Sequence, residues 1–313
     1  MSHSDLSNIL IESRALVEKH IGRQANSIRS EPPSDLDLPA VLNEARSLCA
    51  SALKETRQPI FLVHHFACTG GTLLSRCLAS QPNVVLLSEI DPLSELPLRQ
   101  PDFAPYDLLR AIQTGLRPLV PKDIEETFLD FLASILKRTG LRGHRLVIRD
   151  HTHSHYCTTS DPLARPSIKE ILMEAFETRS LVTVRHPVDS YLSLKKNKWI
   201  MFEPGIFEEY CRRYLLFLDS YSDAPIIRYE DFVREPKDTA RSMTECLGLP
   251  YSAEWISILP NIQLSGNSGR SGDEISERPR RPIPEALAEE FKFTPSYVAL
   301  CERLGYDPEI EFA

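Results

Sequence analysis

The sequence has 313 residues, 42% hydrophobic and 26% charged, which is typical of a globular protein with enough chain to bury a core. Its net charge of −8 argues against general nucleic-acid affinity, and no apolar run approaches the roughly 20 residues of a membrane span. Seven cysteines without a C-x-x-C pair, and an N-terminus unlike a secretory signal, predict reduced thiols and a cytoplasmic protein.

The first 57 residues have apolar side chains at helical spacing, interrupted by prolines at 32 and 33. This pattern predicts two amphipathic helices, and no residue in the segment indicates chemistry. We therefore divide the chain into a helical N-terminal segment, residues 1–57, and one α/β domain, residues 58–313. The N-terminal segment would suit a cover for the sheet, a contact with a second subunit in a homo-oligomer, or a partly mobile arm.

Beyond residue 57, short apolar runs alternate with helical patterns. The predicted strands are residues 59–63, 82–87, 145–149, 180–184 and 225–228. Such alternation predicts an α/β fold, a mainly parallel sheet with helices on both faces. Sheets of this kind bind ligands at the carboxyl ends of their strands. The candidate site residues described next all follow predicted strands.

A loop of small residues connects the first strand to the next helix. Its two glycines would let the backbone approach a ligand, and the helix N-terminus would face an anion, so we predict a phosphate site. A tight turn without a ligand is the alternative interpretation. A Walker A loop is excluded because no lysine follows the glycines, and a cysteine-phosphatase loop would need arginine at Leu74. The loop residues are Cys68, Thr69, Gly70, Gly71, Thr72 and Leu73.

The Thr-Gly-Gly-Thr sequence at 69–72 resembles the 5′-phosphosulfate loop of sulfotransferases, where a strand ends in Ser-Gly-Thr-Thr or a close variant. These enzymes use PAPS, 3′-phosphoadenosine 5′-phosphosulfate, and the resemblance implies their P-loop-like α/β fold. The family usually has Lys or Arg just before this sequence, and this chain has Cys68. The cation that would replace it could be Arg149, Arg270 or a protonated His65.

Three later segments resemble the same family in the same order. Arg185 with Ser193, eight positions later, is similar to the site that holds the 3′-phosphate of PAPS. Tyr229 lies in a segment like the family's R-Y-E-D motif, whose tyrosine lies near the adenine. Arg270 ends a G-N-x-x-R run like a late loop that closes over the nucleotide. A helix-end arginine, a polar strand end and a surface arginine are the competing interpretations.

His151 is the candidate catalytic base. In many family members a strand ends in Lys-Thr-His, and the sequence Arg-Asp-His at 149–151 occupies the corresponding place. Histidine has the pKa near 7 that such a base needs, although a purely structural histidine is the main alternative. His153 and His155 share the strand period with His151, so a zinc site is a further alternative, but no cysteine or carboxylate spacing completes it.

Together the matches imply a transferase, a PAPS-dependent sulfotransferase. It would move a sulfuryl group by in-line displacement to a hydroxyl or amine of a small-molecule or glycan acceptor. No metal is expected, because arginine, lysine and backbone N–H groups can replace the Mg²⁺ that kinases use. Two rival functions remain: a non-catalytic 3′-phosphonucleotide-binding protein, since Cys68 carries no positive charge, and a nucleotide-dependent kinase.

Overall fold

A computed structural model describes residues 58–94, 96, 109, 112, 116–264, 275–277, 279–292 and 294–309, together with residue 43. The predicted N-terminal helices lie outside the described residues apart from that single position, and so does Arg270. The division of the chain at residue 57 and the role of Arg270 therefore stay predictions.

Five parallel strands form one sheet, which confirms the predicted α/β fold. The spatial order is β2-β3-β1-β4-β5, so β1 is central and the chain after it leaves from the middle of the sheet. The strands are β1 Ile60–His65, β2 Val84–Ile90, β3 Arg145–Asp150, β4 Thr178–Val184 and β5 Ile226–Arg228.

Helices connect the strands and continue to the end of the described chain. Proline occupies the first turn of several of them, where its missing N–H has no intrahelical partner to lose. No helix among the described residues is both long and apolar enough to cross a membrane. The α-helices of the described part of the chain are α1 Gly71–Ala79, α2 Pro121–Gly140, α3 Thr152–Tyr156, α4 Ile168–Met173, α5 Pro187–Lys196, α6 Phe207–Ser220, α7 Tyr229–Arg234, α8 Pro236–Leu247, α9 Trp255–Ile258, α10 Glu285–Lys292 and α11 Pro295–Leu304.

The central strand is buried on both faces, and its side chains alternate between two cores. Ile60 and Leu62 pack with residues of α2 and α4. Phe61 and Val63 pack with residues of α1 and α8. This is the period-two arrangement expected of a strand covered by helices on both sides.

Two details differ from the sequence predictions. Strand β2 extends to Ile90, with a shift in its pairing with β3 between Leu87 and Ile90 and a positive φ of 57° at Glu89. Residues 152–156 are helical, so the three histidines do not share one face at strand spacing. Instead, His155 stacks on Tyr156 and forms a hydrogen bond to the Pro162 carbonyl at 2.7 Å.

A third core, rich in aromatic rings, lies beyond the carboxyl end of β1. Phe66, at its centre, is fully buried and stacks on Tyr214 with ring centroids 4.5 Å apart. Tyr210 and Phe217, also from α6, lie 5.3 and 5.5 Å from the same ring. Aromatic contacts at these separations add to ordinary area burial. Phe66 therefore anchors the chain two residues before Cys68, where the candidate loop begins.

We expect Phe66→Ala to lower the free energy of unfolding by about 3–5 kcal/mol, because it opens a cavity among rings that cannot collapse into it. Chemical denaturation followed by fluorescence measures this loss. The matched control is Phe131→Ala on α2, because that ring is 57% exposed. Its change should stay within about 0.5 kcal/mol. Equal losses in both variants would contradict a central role for Phe66.

Candidate functional site

A cavity of about 980 Å³ opens at the carboxyl ends of the strands. It gathers side chains that are far apart in the sequence, from the chain after β1, β3, β4 and β5. Thr69 does not line it, and Arg270 is outside the described residues. The predicted residues that it brings together are Cys68, Gly70, Gly71, Thr72, Leu73, His151, Arg185, Ser193 and Tyr229.

The two loop glycines are required by close packing. Gly70 has a φ of 87°, and a Cβ there would lie 2.3 Å from the ring of Tyr229. A Cβ on Gly71 would lie 2.3 Å from the ring of His65. Glycine is the residue that tolerates both the left-handed conformation and these contacts. Tyr229 is thereby seated directly against the loop.

Thr69 has a structural part in the loop. Its hydroxyl donates to the Phe66 carbonyl at 2.7 Å, and its backbone N–H donates to the same oxygen at 3.2 Å. Its side chain is fully buried. The turn that Thr69 closes leads into the N-terminus of α1, where Gly71, Thr72 and Leu73 line the cavity. Such an N-terminus favours an anion.

Arg149 places a buried guanidinium at this loop. The residue is 3% exposed. It donates hydrogen bonds to the Thr72 hydroxyl at 3.0 Å, to Nε2 of His65 at 3.1 Å and to the Ser88 hydroxyl at 3.1 Å. It also forms an ion pair with Glu89 at 3.2 Å. Burial lowers the pKa of Arg149 and Glu89 opposes this, but a guanidinium stays protonated in proteins.

His65 and Cys68, which also lie at the loop, are uncharged at neutral pH. Burial, and then Arg149, hold the pKa of His65 well below its usual value. Accordingly, His65 accepts the Arg149 hydrogen bond through Nε2. Burial raises the pKa of the Cys68 thiol to about 11, against the opposing charges of Arg185 and Arg281. A protonated His65 is therefore disfavoured as the replacement cation.

A second group of cations lies beside Ser193. The Arg185 guanidinium lies 4.7 Å from the centroid of the Tyr229 ring. Arg281 donates to the Ser193 hydroxyl at 2.9 Å, and Arg280 forms an ion pair with Asp189 at 3.2 Å. Sequence reasoning missed Arg280 and Arg281. Their tandem position between prolines 279 and 282 is the signal that could have indicated them.

The histidines on the β3 side of the cavity are held neutral. Burial lowers the pKa of His151, and nearby Glu89 and Asp91 oppose this. Burial lowers the pKa of His153 to about 4. The Nε2–H group of His153 donates to the Trp199 carbonyl at 3.2 Å. A neutral imidazole is the form that can accept a proton, so His151 has the protonation state of a general base.

The cavity therefore has two unlike halves that meet at the loop after β1. On the β4 and β5 side, Arg185, Ser193 and Arg281 form a cationic, hydroxyl-bearing surface suited to an anionic ligand. On the β2 and β3 side, His151 and Glu89 are groups that can accept protons. Within the described ranges, no cluster of His, Cys, Asp or Glu is arranged to hold a metal ion.

Comparison with known families gives a match over more than half of the chain. A family described as "Sulfotransferase family" matches residues 59–253, which is more than half of the chain. This range contains every residue that lines the cavity except Glu277, Pro279, Arg280 and Arg281. No curated protein matches the chain.

Similar solved structures are distant in sequence. The sulfotransferase domain from the curacin biosynthetic pathway is 16% identical, with 80% of this chain and 99% of that one covered and a TM-score of 0.46. A sulfotransferase from Alicyclobacillus acidocaldarius is 17% identical, with coverages of 80% and 97% and a TM-score of 0.42. A mouse sulfotransferase complexed with PAP is 12% identical, with coverages of 82% and 87% and a TM-score of 0.39. At these identities and scores, the likenesses carry no weight for function.

Proposed function

The chain belongs to the sulfotransferase family, and from this membership we propose that it transfers a sulfuryl group from PAPS to a hydroxyl or amine acceptor by in-line displacement. The observation that carries the proposal is the shared cavity. One space at the strand ends is lined by the loop residues 68 and 70–73 and by Arg185, Ser193, Tyr229 and His151. A shared cavity is what a nucleotide donor and its acceptor would both need.

The β4 and β5 half is the proposed nucleotide site. Arg185, Ser193 and Arg281 would hold the 3′-phosphate through charge-assisted hydrogen bonds. Tyr229, seated against Gly70, would lie beside the adenine. The N-terminus of α1 would hold the 5′-phosphosulfate with its backbone N–H groups. PAPS bound there supplies an activated sulfuryl group, and the residues of this half orient it.

Arg149 is the proposed replacement for the cation that Cys68 does not supply. It reaches the loop from the neighbouring strand β3 and bonds to Thr72, which lines the cavity. A fixed cation in a site of low dielectric stabilises negative charge that develops on a leaving oxygen. This role needs no positive charge on Cys68 or His65, whose neutral forms burial favours.

His151, in the β2 and β3 half of the cavity, is the proposed base. Its neutral imidazole would accept the proton of the attacking hydroxyl or amine. Glu89 lies in the same half of the cavity and is the second candidate for that proton. The acceptor, a small molecule or a glycan, would therefore enter on the β2 and β3 side.

Arg185→Ala tests the nucleotide assignment. We expect affinity for adenosine 3′,5′-bisphosphate to fall about 10- to 100-fold, because charge-assisted hydrogen bonds to the 3′-phosphate are lost. Affinity for adenosine 5′-phosphate should barely change. Isothermal titration of both nucleotides measures the difference.

The matched control for that test is Arg179→Ala, at the opposite end of the same strand β4 and exposed to solvent. It should bind both nucleotides as the native protein does. Equal losses for both nucleotides in Arg185→Ala would overturn the 3′-phosphate assignment. A native protein that prefers ATP with Mg²⁺ would instead favour a kinase.

Arg149→Met tests the replacement cation. We expect turnover of PAPS to fall by on the order of 10²–10³, because a fixed charge at the leaving oxygen is lost. Adding Cys68→Lys should restore part of the rate, since lysine would place a cation before the Thr-Gly-Gly-Thr sequence. Release of adenosine 3′,5′-bisphosphate with a panel of hydroxyl and amine acceptors is the measurement.

Arg145→Met is its control, because Arg145 begins the same strand, away from the cavity. It should keep the native rate. Native turnover in Arg149→Met would show that another group stabilises the leaving oxygen. Binding of nucleotide without any turnover by the native protein would favour the non-catalytic alternative.

His151→Ala tests the base through the pH dependence of turnover. His151 must be neutral to accept a proton, and its lowered pKa keeps it neutral below the usual 6.5. The native rate should therefore stay level as pH falls to 6.5 and decline only at lower pH. His151→Ala should lose on the order of 10²–10⁴ in rate and this decline with it. His144→Ala, at the far end of β3, is the control; an unchanged pH profile in His151→Ala would place the base elsewhere.

A further inference from the structure

The main chain of Arg185 is held from α6. Its N–H donates to the Tyr214 hydroxyl at 3.2 Å, and this hydroxyl donates in turn to the Arg185 carbonyl at 3.3 Å. Tyr214 is fully buried, so this support is rigid. The side chain of Arg185 lies over Tyr229, the first residue of α7. The ends of β4 and β5 must therefore keep a fixed relation if Arg185 is to point into the cavity.

Glu230 joins these two strand ends. One of its carboxylate oxygens accepts the backbone N–H of His186 at 3.0 Å. The other accepts the hydroxyl of Tyr306 at 2.7 Å. The Glu230 carboxylate, at the start of α7, thus connects His186 at the end of β4 with Tyr306 in the segment that follows α11.

Tyr306 is itself held in place. Its backbone N–H donates to the Cys301 carbonyl at 2.9 Å, and the Arg228 guanidinium lies 5.2 Å from its ring centroid. Gly305 has a φ of 66°, and a Cβ there would lie 2.6 Å from Arg228. Burial, together with Glu230, raises the pKa of Tyr306, so its hydroxyl remains a donor.

Glu230 places a negative charge in the cavity that is proposed to bind an anion. Glu230 lines the same cavity as Arg185, where a carboxylate would repel a phosphate. Hydrogen bonds to both of its oxygens hold the carboxylate in position and offset part of its charge. A carboxylate kept beside an anion site in spite of this repulsion must contribute through geometry.

We infer that Glu230 and Tyr306 form a clasp that positions Arg185 for a 3′-phosphate, so that the C-terminal segment sets the preference for a 3′-phosphorylated nucleotide. The inference rests on the proposed function. Glu230 and Tyr306 are positioning residues that act on Arg185 through the main chain of His186. The clasp extends the nucleotide site by 76 positions in sequence from Glu230 to Tyr306.

Tyr306→Phe removes the hydroxyl and keeps the ring. We expect affinity for adenosine 3′,5′-bisphosphate to fall about 5- to 20-fold, because Glu230 loses a donor and the end of β4 is less firmly held. Affinity for adenosine 5′-phosphate should stay near native. The dissociation constant of adenosine 5′-phosphate divided by that of the bisphosphate, which measures the preference for the 3′-phosphate, should therefore shrink. Isothermal titration of each variant with both nucleotides gives this ratio.

Tyr297→Phe is the matched control. Its hydroxyl donates to the Pro308 carbonyl at 3.2 Å and so anchors the same C-terminal segment without touching Glu230. It should leave the ratio unchanged. A ratio that falls equally in both variants would mean that general anchoring of the segment matters, and would overturn the clasp.

For Glu230→Ala, electrostatics and the clasp predict opposite changes in the affinity for adenosine 3′,5′-bisphosphate. This variant also remains available if Tyr306→Phe fails to fold. Electrostatics alone predicts tighter binding of adenosine 3′,5′-bisphosphate, because a negative charge leaves the cavity. The clasp predicts weaker binding, because the ends of β4 and β5 separate. Tighter or equal binding would refute the clasp.

The native protein separates this inference from the proposed function. If native protein does not prefer the bisphosphate over adenosine 5′-phosphate, the proposed function fails and the clasp fails with it. If the native preference is present but persists in Tyr306→Phe and Glu230→Ala, the clasp alone is wrong.

Discussion

The buried guanidinium of Arg149 is the charge around which the site is organised. A charge at 3% exposure is costly unless hydrogen bonds and an opposite charge surround it. Its partners come from β1, β2 and α1: His65, Ser88 with Glu89, and Thr72. Satisfying Arg149 therefore fixes the relation of three segments at the carboxyl edge of the sheet, and it holds a cation beside the candidate phosphate loop.

Apolar packing makes this edge rigid. The core around Phe66 fixes the chain just before the loop. Helix α6 supplies several rings of that core and also the Tyr214 hydroxyl that holds Arg185. The loop itself is held by the close packing of Gly70 against Tyr229 and of Gly71 against His65. The polar groups of the cavity are thus positioned by side chains that take no part in the proposed chemistry, as preorganised electrostatics requires.

Cys68 is the position at which the loop departs from the motif that it resembles. The thiol is neutral because burial raises its pKa to about 11. The cations near the loop come from other parts of the chain: Arg149 on one side of the loop, and Arg185 with Arg281 on the other. Glu230 brings a negative charge to the same cavity, and both of its carboxylate oxygens accept hydrogen bonds.

The sequence by itself determined the alternation of strands and helices and the order of the motifs, and it proposed candidate residues for a phosphate site, because these depend on local pattern and side-chain chemistry. It also indicated that Arg149 ends a strand and that His151 follows that strand. Only the tertiary structure decided that Arg149 contacts Thr72, that Thr69 closes the turn and that Arg281 reaches Ser193 across 88 positions. It also decided that Tyr306 reaches Glu230. Such contacts depend on the strand order, with β1 between β3 and β4, and no local pattern encodes which distant segments that order brings together.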